Sequence, residues 1–225
     1  IMEGTVDQLE ITANRYFRKK QILAYSKIRE GDILRLDPIQ KTLRALNQNP
    51  DRQVTASLLA GKKPGSSKIL FTVKDQFPLH LNFQQDNYGI PSSGKEEFTF
   101  MLSNNNMTSF DDIMNVGTVF GKNFGAIFTQ YLFPIPQTGT KLTGGFSHTQ
   151  VSPKKELKPF GMNSTAETYY FRIDQPVIKK TRVTLNLQGG IEFKESRTKL
   201  LSAPYRRERL RILGAGPVVT WQDRG

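Results

Sequence analysis

From Arg182 to Lys194 the chain reads RVTLNLQGGIEFK, and its side chains alternate without a break. Val183, Leu185, Leu187, Gly189, Ile191 and Phe193 fall on one side, and Arg, Thr, Asn, Gln, Gly, Glu and Lys on the other. Successive side chains of a strand point to opposite faces, so this pattern predicts one long amphipathic strand. Soluble strands average about 5 to 6 residues, whereas a tilted strand that crosses a bilayer takes roughly 9 to 11. Seven further stretches share the pattern: Leu79 to Asn87, Glu96 to Asn105, Ile113 to Gly121, Gly125 to Phe133, Lys141 to His148, Ala166 to Gln175 and Leu210 to Gln222. Short connections at 106–112, 134–140 and 176–181 alternate with longer ones at 88–95, 151–165 and 195–209, and Lys122 to Phe124 breaks the scheme. Short turns at one end and long loops at the other are the plan of an antiparallel outer-membrane barrel. The same alternation also permits a soluble β-sandwich, but strands of this length and long unstructured loops count against one.

The first third follows another plan. Gly4 to Ile11 reads as a short strand with one irregularity, and Arg18 to Lys27 as a helix with Ile22, Leu23, Tyr25 and Ile28 inward and Gly31 just past its end. A second helix is marked by Asp37 as cap, Pro38 at the first helical position and Gln40 at the capping-box position. Ile39, Leu43 and Leu46 then share one face, and the segment Asn47 to Pro50 ends the helix. Val54 to Leu58 and Ile69 to Val73 read as strands around a turn at 61–66. The order is β-α-α-β-β, which places a small α+β domain at residues 1–77 and the barrel-like strands at 78–225. The turn has the composition of a phosphate loop, but the order Gly-x4-Gly-Lys-Ser/Thr is absent and Pro64 has no amide to offer.

Composition removes several functions. There is no Cys, hence no disulfide, thiolate nucleophile or zinc-cysteine site. His80 and His148 lack neighbours at metal-ligand or triad spacing, and Glu96 and Glu97 point to opposite faces of a strand, so no catalytic residue, metal site or cofactor is expected. The net charge of +12 raises the question of nucleic acid. Lys and Arg are spread along the whole chain, however, as on a solvated surface or a polar pore lining, and no nucleic-acid partner is expected. No apolar run is long enough for a transmembrane helix, which leaves a barrel open. The opening Ile1-Met2-Glu3 carries no signal peptide, so a processed or partial chain is expected.

Four ordered submotifs lie between Leu43 and Gly89: Leu46-Asn47-x-Asn49-Pro50-Asp51-Arg52-x-Val54, Gly61-x-x-Pro64-Gly65, Val73-x-Asp75 with Pro78-Leu79, and Asp86-Asn87-x-Gly89. This block resembles the junction of the two-partner-secretion outer-membrane transporters, the family that exports haemolysins and filamentous adhesins. The resemblance implies that residues 1–77 are a polypeptide-transport-associated (POTRA) domain, the second of two, and that residues 78–225 supply about eight of sixteen barrel strands. It implies an outer-membrane location in a Gram-negative-type bacterium with the POTRA domain in the periplasm. The implied partners are outer-membrane lipid and an unfolded secreted exoprotein, captured by the POTRA domain and exported through the pore. Ile22, Leu43, Leu46, Val54, Ala56 and Leu58 are the candidate partner-binding residues, each of which also fits a plain core position. The family-motif candidates are Asn47, Asn49, Pro50, Arg52, Pro64, Gly65, Asp75, Pro78, Asp86, Asn87 and Gly89.

After Gly89 this sequence departs from the family pattern, with Ser93-Gly94-Lys95-Glu96-Glu97 where the family has Thr-Gly and an Arg-bearing strand. The rival functions are a barrel-assembly factor of the Omp85 superfamily and a soluble basic β-rich binding protein.

Overall fold

The computed structural model describes residues 4–179 and 182–221. The chain forms two compact units. The first takes the described residues up to Pro78 together with Asn105–Asp112 and Pro134–Gly139; the second takes Leu79–Asn104, Ile113–Phe133 and the described residues from Thr140 onward.

In the first unit the elements run β1 (Thr5–Thr12), α1 (Lys19–Ala24), α2 (Leu36–Leu46), β2 (Arg52–Ala60) and β3 (Ser66–Asp75), the expected β-α-α-β-β order. The sheet order is β1-β3-β2, with β1 parallel and β2 antiparallel to the central β3. The core lies under β3, where Ile69, Phe71 and Val73 are all buried, against Ile22, Ile39 and Leu46 from the helices. The irregularity expected in β1 is a register shift between Val6 and Gln8.

Both helices differ from expectation at their ends. The first stops at Ala24, because Tyr25 and Ser26 donate to the Ile22 and Leu23 carbonyls and tighten the last turn into 3-10 geometry. The second begins at Leu36 after Arg35, without a side-chain cap; Asp37 lies inside the first turn and pairs with Lys41 one turn on, at 2.6 Å. There its charge meets the positive end of the helix dipole, which stabilises the turn without capping it.

The second unit is one antiparallel sheet of eight strands, each beside its neighbour in sequence. They are β4 (Leu79–Asp86), β5 (Glu97–Asn104), β6 (Ile113–Gly121), β7 (Phe124–Ile135), β8 (Thr140–Val151), β9 (Asn163–Lys179), β10 (Val183–Leu200) and β11 (Ala203–Trp221). Gln222, the expected end of the last strand, lies outside the described residues.

Pairing register assigns the faces. Phe83 stands opposite Phe100, Leu81 opposite Leu102 and Leu102 opposite Val116, and all five of these side chains are exposed. The same face carries a run of aromatic contacts, among them Phe83 with Phe100 and Phe146 with Tyr169, each at 4.7 Å between centroids. The opposite face holds His80, Asn82 and Gln84 on β4 and Arg172 and Asp174 on β9. On that polar face two glycines lie under rings: a Cβ on Gly117 would meet Phe128 at 2.3 Å, and one on Gly145 would meet Tyr170 at 2.4 Å. Each ring thus lies flat over its cross-strand neighbour instead of standing into the space beyond.

The longer connection expected at 195–209 is instead strand. β10 and β11 stay paired to Leu200 and Ala203 and are joined at Leu201 and Ser202, whose φ angles of 48° and 67° suit a two-residue primed turn. Charged side chains occupy both faces there, so the pattern loses its alternation while the backbone keeps its ladder. The apolar stripe itself ends at Phe193 on β10 and at Leu213, its partner's neighbour, on β11. From Val183 to Phe193 it has the length that a tilted membrane-crossing strand needs.

These faces give a direct test. Leu187→Arg places a charge in the middle of the apolar stripe and is expected to cost about 2–4 kcal/mol of assembled barrel, whereas Gln188→Arg on the polar face leaves assembly intact. Heat-modifiable migration of the outer-membrane fraction of the full-length protein measures both; equal loss at the two positions would contradict the assignment.

Candidate functional site

The junction motif converges on a buried arginine. Arg52 opens β2, and its guanidinium side chain is 0% exposed. An arginine does not give up its proton in a protein, so burial obliges it to find acceptors. Nε and Nη2 donate to the Leu46 carbonyl at the end of α2, at 3.2 and 2.8 Å. Nη1 and Nη2 grip both carboxylate oxygens of Asp111, at 2.9 and 2.7 Å, in a fork-to-fork pair. The cation also lies over the rings of Phe17 and Tyr25, at 4.8 and 5.7 Å. Burial first, and then the Asp111 charge, raise the Tyr25 hydroxyl pKa above its ordinary value of about 10. The stability this neutral phenol contributes is therefore complete below that pH and lost only as pH rises above it.

Asp111 is held by its own neighbours. Its φ of 61° is left-handed, a conformation that Asp and Asn tolerate better than other non-glycine residues. Asn49 donates to its Oδ1 at 3.2 Å, and Gln21 does so at 2.6 Å. Gln21 also donates to Asn106 at 2.7 Å, and Asn49 to the Asn105 carbonyl at 2.7 Å. Asp51 completes the cluster: it accepts from the Asn105 side-chain amide and from that of Gln76, both at 2.8 Å.

Most of the remaining motif residues close a local backbone need. Asn47 donates to the Val54 carbonyl at 3.0 Å and accepts from its amide at 2.7 Å, standing in for a strand neighbour. The Asp75 carboxylate accepts the amides of Arg15, Tyr16 and Phe17 at 2.8 to 3.1 Å, which fixes the turn before α1. Pro50 lies exposed in the turn between α2 and β2, and Pro64 with Gly65, at a φ of 79°, makes the β2–β3 hairpin. Pro78 is buried, and its carbonyl accepts the Asn105 amide at 2.9 Å. Asp86 accepts the Tyr88 amide at 3.1 Å, with Asn87 exposed beside it. A Cβ on Gly89 would lie 2.2 Å from the Gly94 carbonyl oxygen, so this loop closes only over glycine.

The candidate partner-binding residues separate into two groups. Ile22, Leu46 and Val54 are core residues, and Leu43 and Ala56 pack partly buried against them. Leu58 is exposed, as is its neighbour Leu59. Both lie on β2, an edge of its sheet. Gly61 donates to Ser66 on β3, and Val54 turns its amide and carbonyl to Asn47 on the other side. By alternation the amides and carbonyls of Ala56, Leu58 and Ala60 also point away from β3, and among the described residues no neighbouring strand meets them.

Sequence reasoning missed Asp111, Asn105, Asn106 and Gln21. A signal was present, since the predicted short turn 106–112 carries one asparagine and two aspartates directly after Asn104 and Asn105, where a simple turn needs only one or two such residues. Removing the charge tests the hub: Asp111→Asn keeps the left-handed backbone accessible but leaves Arg52 buried without its counter-ion, at an expected cost of about 3–5 kcal/mol. Arg52→Lys, which cannot bridge the carboxylate and the Leu46 carbonyl with one planar fork, is expected to lose most of the same stability. Protease susceptibility across a denaturant series reads both losses.

The model of the haemolysin secretion/activation protein family ShlB/FhaC/HecB matches residues 65–211. The outer membrane transporter CdiB of Dickeya dadantii is 30% identical over 112 residues, which is 50% of this chain and 20% of that protein. The outer membrane transporter CdiB-2 of Burkholderia pseudomallei is 27% identical over 71% of this chain and 29% of its own length. Among solved structures, CdiB from Escherichia coli superposes on 99% of this chain with a TM-score of 0.81 at 18% identity, using 43% of its length. BamA from Haemophilus ducreyi superposes with a TM-score of 0.69 at 12% identity, over 99% of this chain and 45% of its own. The chain thus spans less than half the length of each, and it shares their fold of many antiparallel strands. Over most of its length, then, the chain belongs to the ShlB/FhaC/HecB haemolysin secretion/activation family, the outer-membrane transporters of two-partner secretion.

Proposed function

We propose that the chain is the capture and entry part of a protein-export pore. In this reading the first unit is a periplasmic POTRA domain, residues 1–77 in sequence, and residues 78–225 are the N-terminal half of the barrel. The partner is an unfolded secreted exoprotein of haemolysin or adhesin type. No chemistry on the partner is required, only a place to hold an extended chain and a polar path past the apolar band.

The observation that carries the reading is the open edge of β2. An extended segment can add as a further strand along Ala56, Leu58 and Ala60, making main-chain bonds that do not depend on its sequence, while Leu58 and Leu59 offer apolar contacts beside them. Asn47 already serves the Val54 amide and carbonyl, so it would set where such an added strand must stop. Family membership favours this use of the fold over barrel assembly, the function of the rival reading.

Leu58→Pro tests it. Proline there removes only an edge amide that points away from β3, whereas Ser57→Pro removes one from the β2–β3 ladder. With Leu58→Pro, exoprotein in the medium is expected to fall roughly tenfold, the size expected for the loss of one well-made hydrogen bond and its flanking contacts, while the transporter's own level in the outer membrane is unchanged. Undiminished secretion would refute edge capture. A general loss of other outer-membrane barrels on depletion of the protein would instead favour the assembly factor.

A further inference from the structure

The apolar stripe of β10 ends in a row that crosses neighbouring strands. Phe193 stands between Tyr169 on β9 and Arg211 on β11, and Phe146 on β8 meets Tyr169 at 4.7 Å. Tyrosine collects where hydrocarbon gives way to headgroups, with its ring in the apolar layer and its hydroxyl in the polar one, so this row marks the level of that boundary. The next pair along the same face is Glu195 with Arg209, and the one after it Arg197 with Arg207. Glu195 draws these cations to its own height: its Oε1 accepts from Nε of Arg197 at 2.6 Å and from Nε of Arg207 at 2.8 Å, and its Oε2 lies 3.4 Å from Nε of Arg209. Arg211, one pair nearer the hydrocarbon, meets no carboxylate among the described residues. Glu167, opposite Glu195 on β9, adds a second carboxylate, which meets His148 at 3.4 Å. The guanidinium groups therefore outnumber the carboxylates, and all of these arginines are exposed.

Strand geometry sets their depth. A strand that rises about 3.4 Å per residue and is tilted by about 40° climbs roughly 5 Å over two residues. The headgroup layer on each side of the hydrocarbon is about 5 to 7 Å thick. Guanidinium groups gathered at Glu195, two residues past Phe193, are thus inside that layer, and Arg211 is at its lower edge. Chain order decides which leaflet this is. The connections 105–112 and 134–139, which join β5 to β6 and β7 to β8, belong to the first unit, and in an antiparallel order the β10–β11 turn falls at the opposite strand ends. With the first unit periplasmic, as proposed above, the arginines meet the outer leaflet, and the inference rests on that reading.

We infer that Arg197, Arg207, Arg209 and Arg211 form a lipid-facing clamp for a phosphate of a phosphorylated glycolipid of the outer leaflet, whose acyl chains lie along the stripe that ends at Phe193. The planar fork of a guanidinium matches two oxygens of a phosphate monoester and binds them by charge-assisted hydrogen bonds. One lipid molecule then satisfies two adjoining parts of the same face, its chains the apolar row and its phosphate the cations that begin directly opposite Phe193. Free phosphate would satisfy only the second.

Native mass spectrometry of the full-length protein, purified in detergent and incubated with defined lipids, tests this. The unaltered protein is expected to retain bisphosphorylated lipid A at least about tenfold better than its dephosphorylated form, and Arg197→Gln/Arg207→Gln/Arg209→Gln/Arg211→Gln to lose that preference. Arg172→Gln, on the polar face, should keep it. Equal retention of the two lipids by the unaltered protein would overturn the inference, and that comparison needs no variant to fold. So would full retention by the fourfold glutamine variant, with its folding checked by heat-modifiable migration, or an equal loss with Arg172→Gln. If inorganic phosphate displaces the bisphosphorylated lipid at equal concentration, the site is one for free phosphate and the lipid assignment is overturned. Protection of the first unit from protease added to intact cells measures its periplasmic placement separately, so a failure of that reading is distinguishable from a failure of the lipid site.

Discussion

A guanidinium without solvent has to be surrounded by acceptors, and the first unit is arranged to meet that demand at Arg52. The end of α2 supplies a carbonyl, the segment Asn105–Asp112 supplies a carboxylate, and Phe17 and Tyr25 close the faces with rings. A buried pair of this kind adds little net stability over a well-packed apolar substitute, since the desolvation of both charges offsets their attraction. Its effect is on uniqueness. Any arrangement in which Asp111 is elsewhere leaves a buried charge unpaired, so the only low-energy position for the 105–112 segment is the one in which its carboxylate faces Arg52. Gln21, Asn49 and Asp51 extend the same logic outward, because each makes at least one side-chain hydrogen bond to that segment.

The second unit answers a different constraint. In hydrocarbon no water can meet an unpaired amide, so crossing strands must pair laterally along their whole length. The uninterrupted order from β4 to β11 does this with no long crossover. Side chains then have only two destinations, and the register shows the division: large apolar groups on one face, and amides, hydroxyls and charges on the other. Gly117 and Gly145 fit the same division, since Phe128 and Tyr170 belong to the polar face and lie down over these glycines. The Tyr170 hydroxyl then accepts from Gln130 at 2.9 Å, and Arg172 stacks on its ring at 4.6 Å, so a large aromatic group is accommodated among polar neighbours.

Much of this was legible in the sequence because it is local. Alternation fixed the eight strands and their faces, and the caps and breakers around Pro38 and Pro50 located α2 to within a residue or two. What was not legible depends on distance or on burial. Arg52 and Asp111 are 59 positions apart, and nothing in either neighbourhood names the other. Asp37 has the residue type of a cap, yet the helix starts one residue earlier and uses it as an ion-pair partner. Ile22, Leu46, Val54 and Leu58 look alike in a hydrophobic pattern, and only the fold distinguishes three core residues from one on an open edge. The segment 195–209 was read as a loop because polarity on both faces erases the period of two, although the hydrogen-bond ladder that defines a strand does not require that period.

The positive charge shows the same difference between sequence and space. Along the chain the excess of Lys and Arg is even, which argues against a nucleic-acid partner. Pairing in a hairpin, however, brings residues that are far apart in sequence to the same height: Arg197 opposite Arg207, Glu195 opposite Arg209, Phe193 opposite Arg211. Three arginines then converge on one glutamate, and Lys199 joins two lysines from the connection between β8 and β9. Such a collection is electrostatically unfavourable by itself, since like charges this close repel unless counter-charge is supplied. Glu167, directly opposite Glu195 on β9, adds a second carboxylate and still leaves the cations in excess. The hairpin therefore keeps its excess positive charge beyond the end of the apolar stripe, on the stripe's own face, where a membrane-crossing strand has left the hydrocarbon and the charge can be solvated and screened.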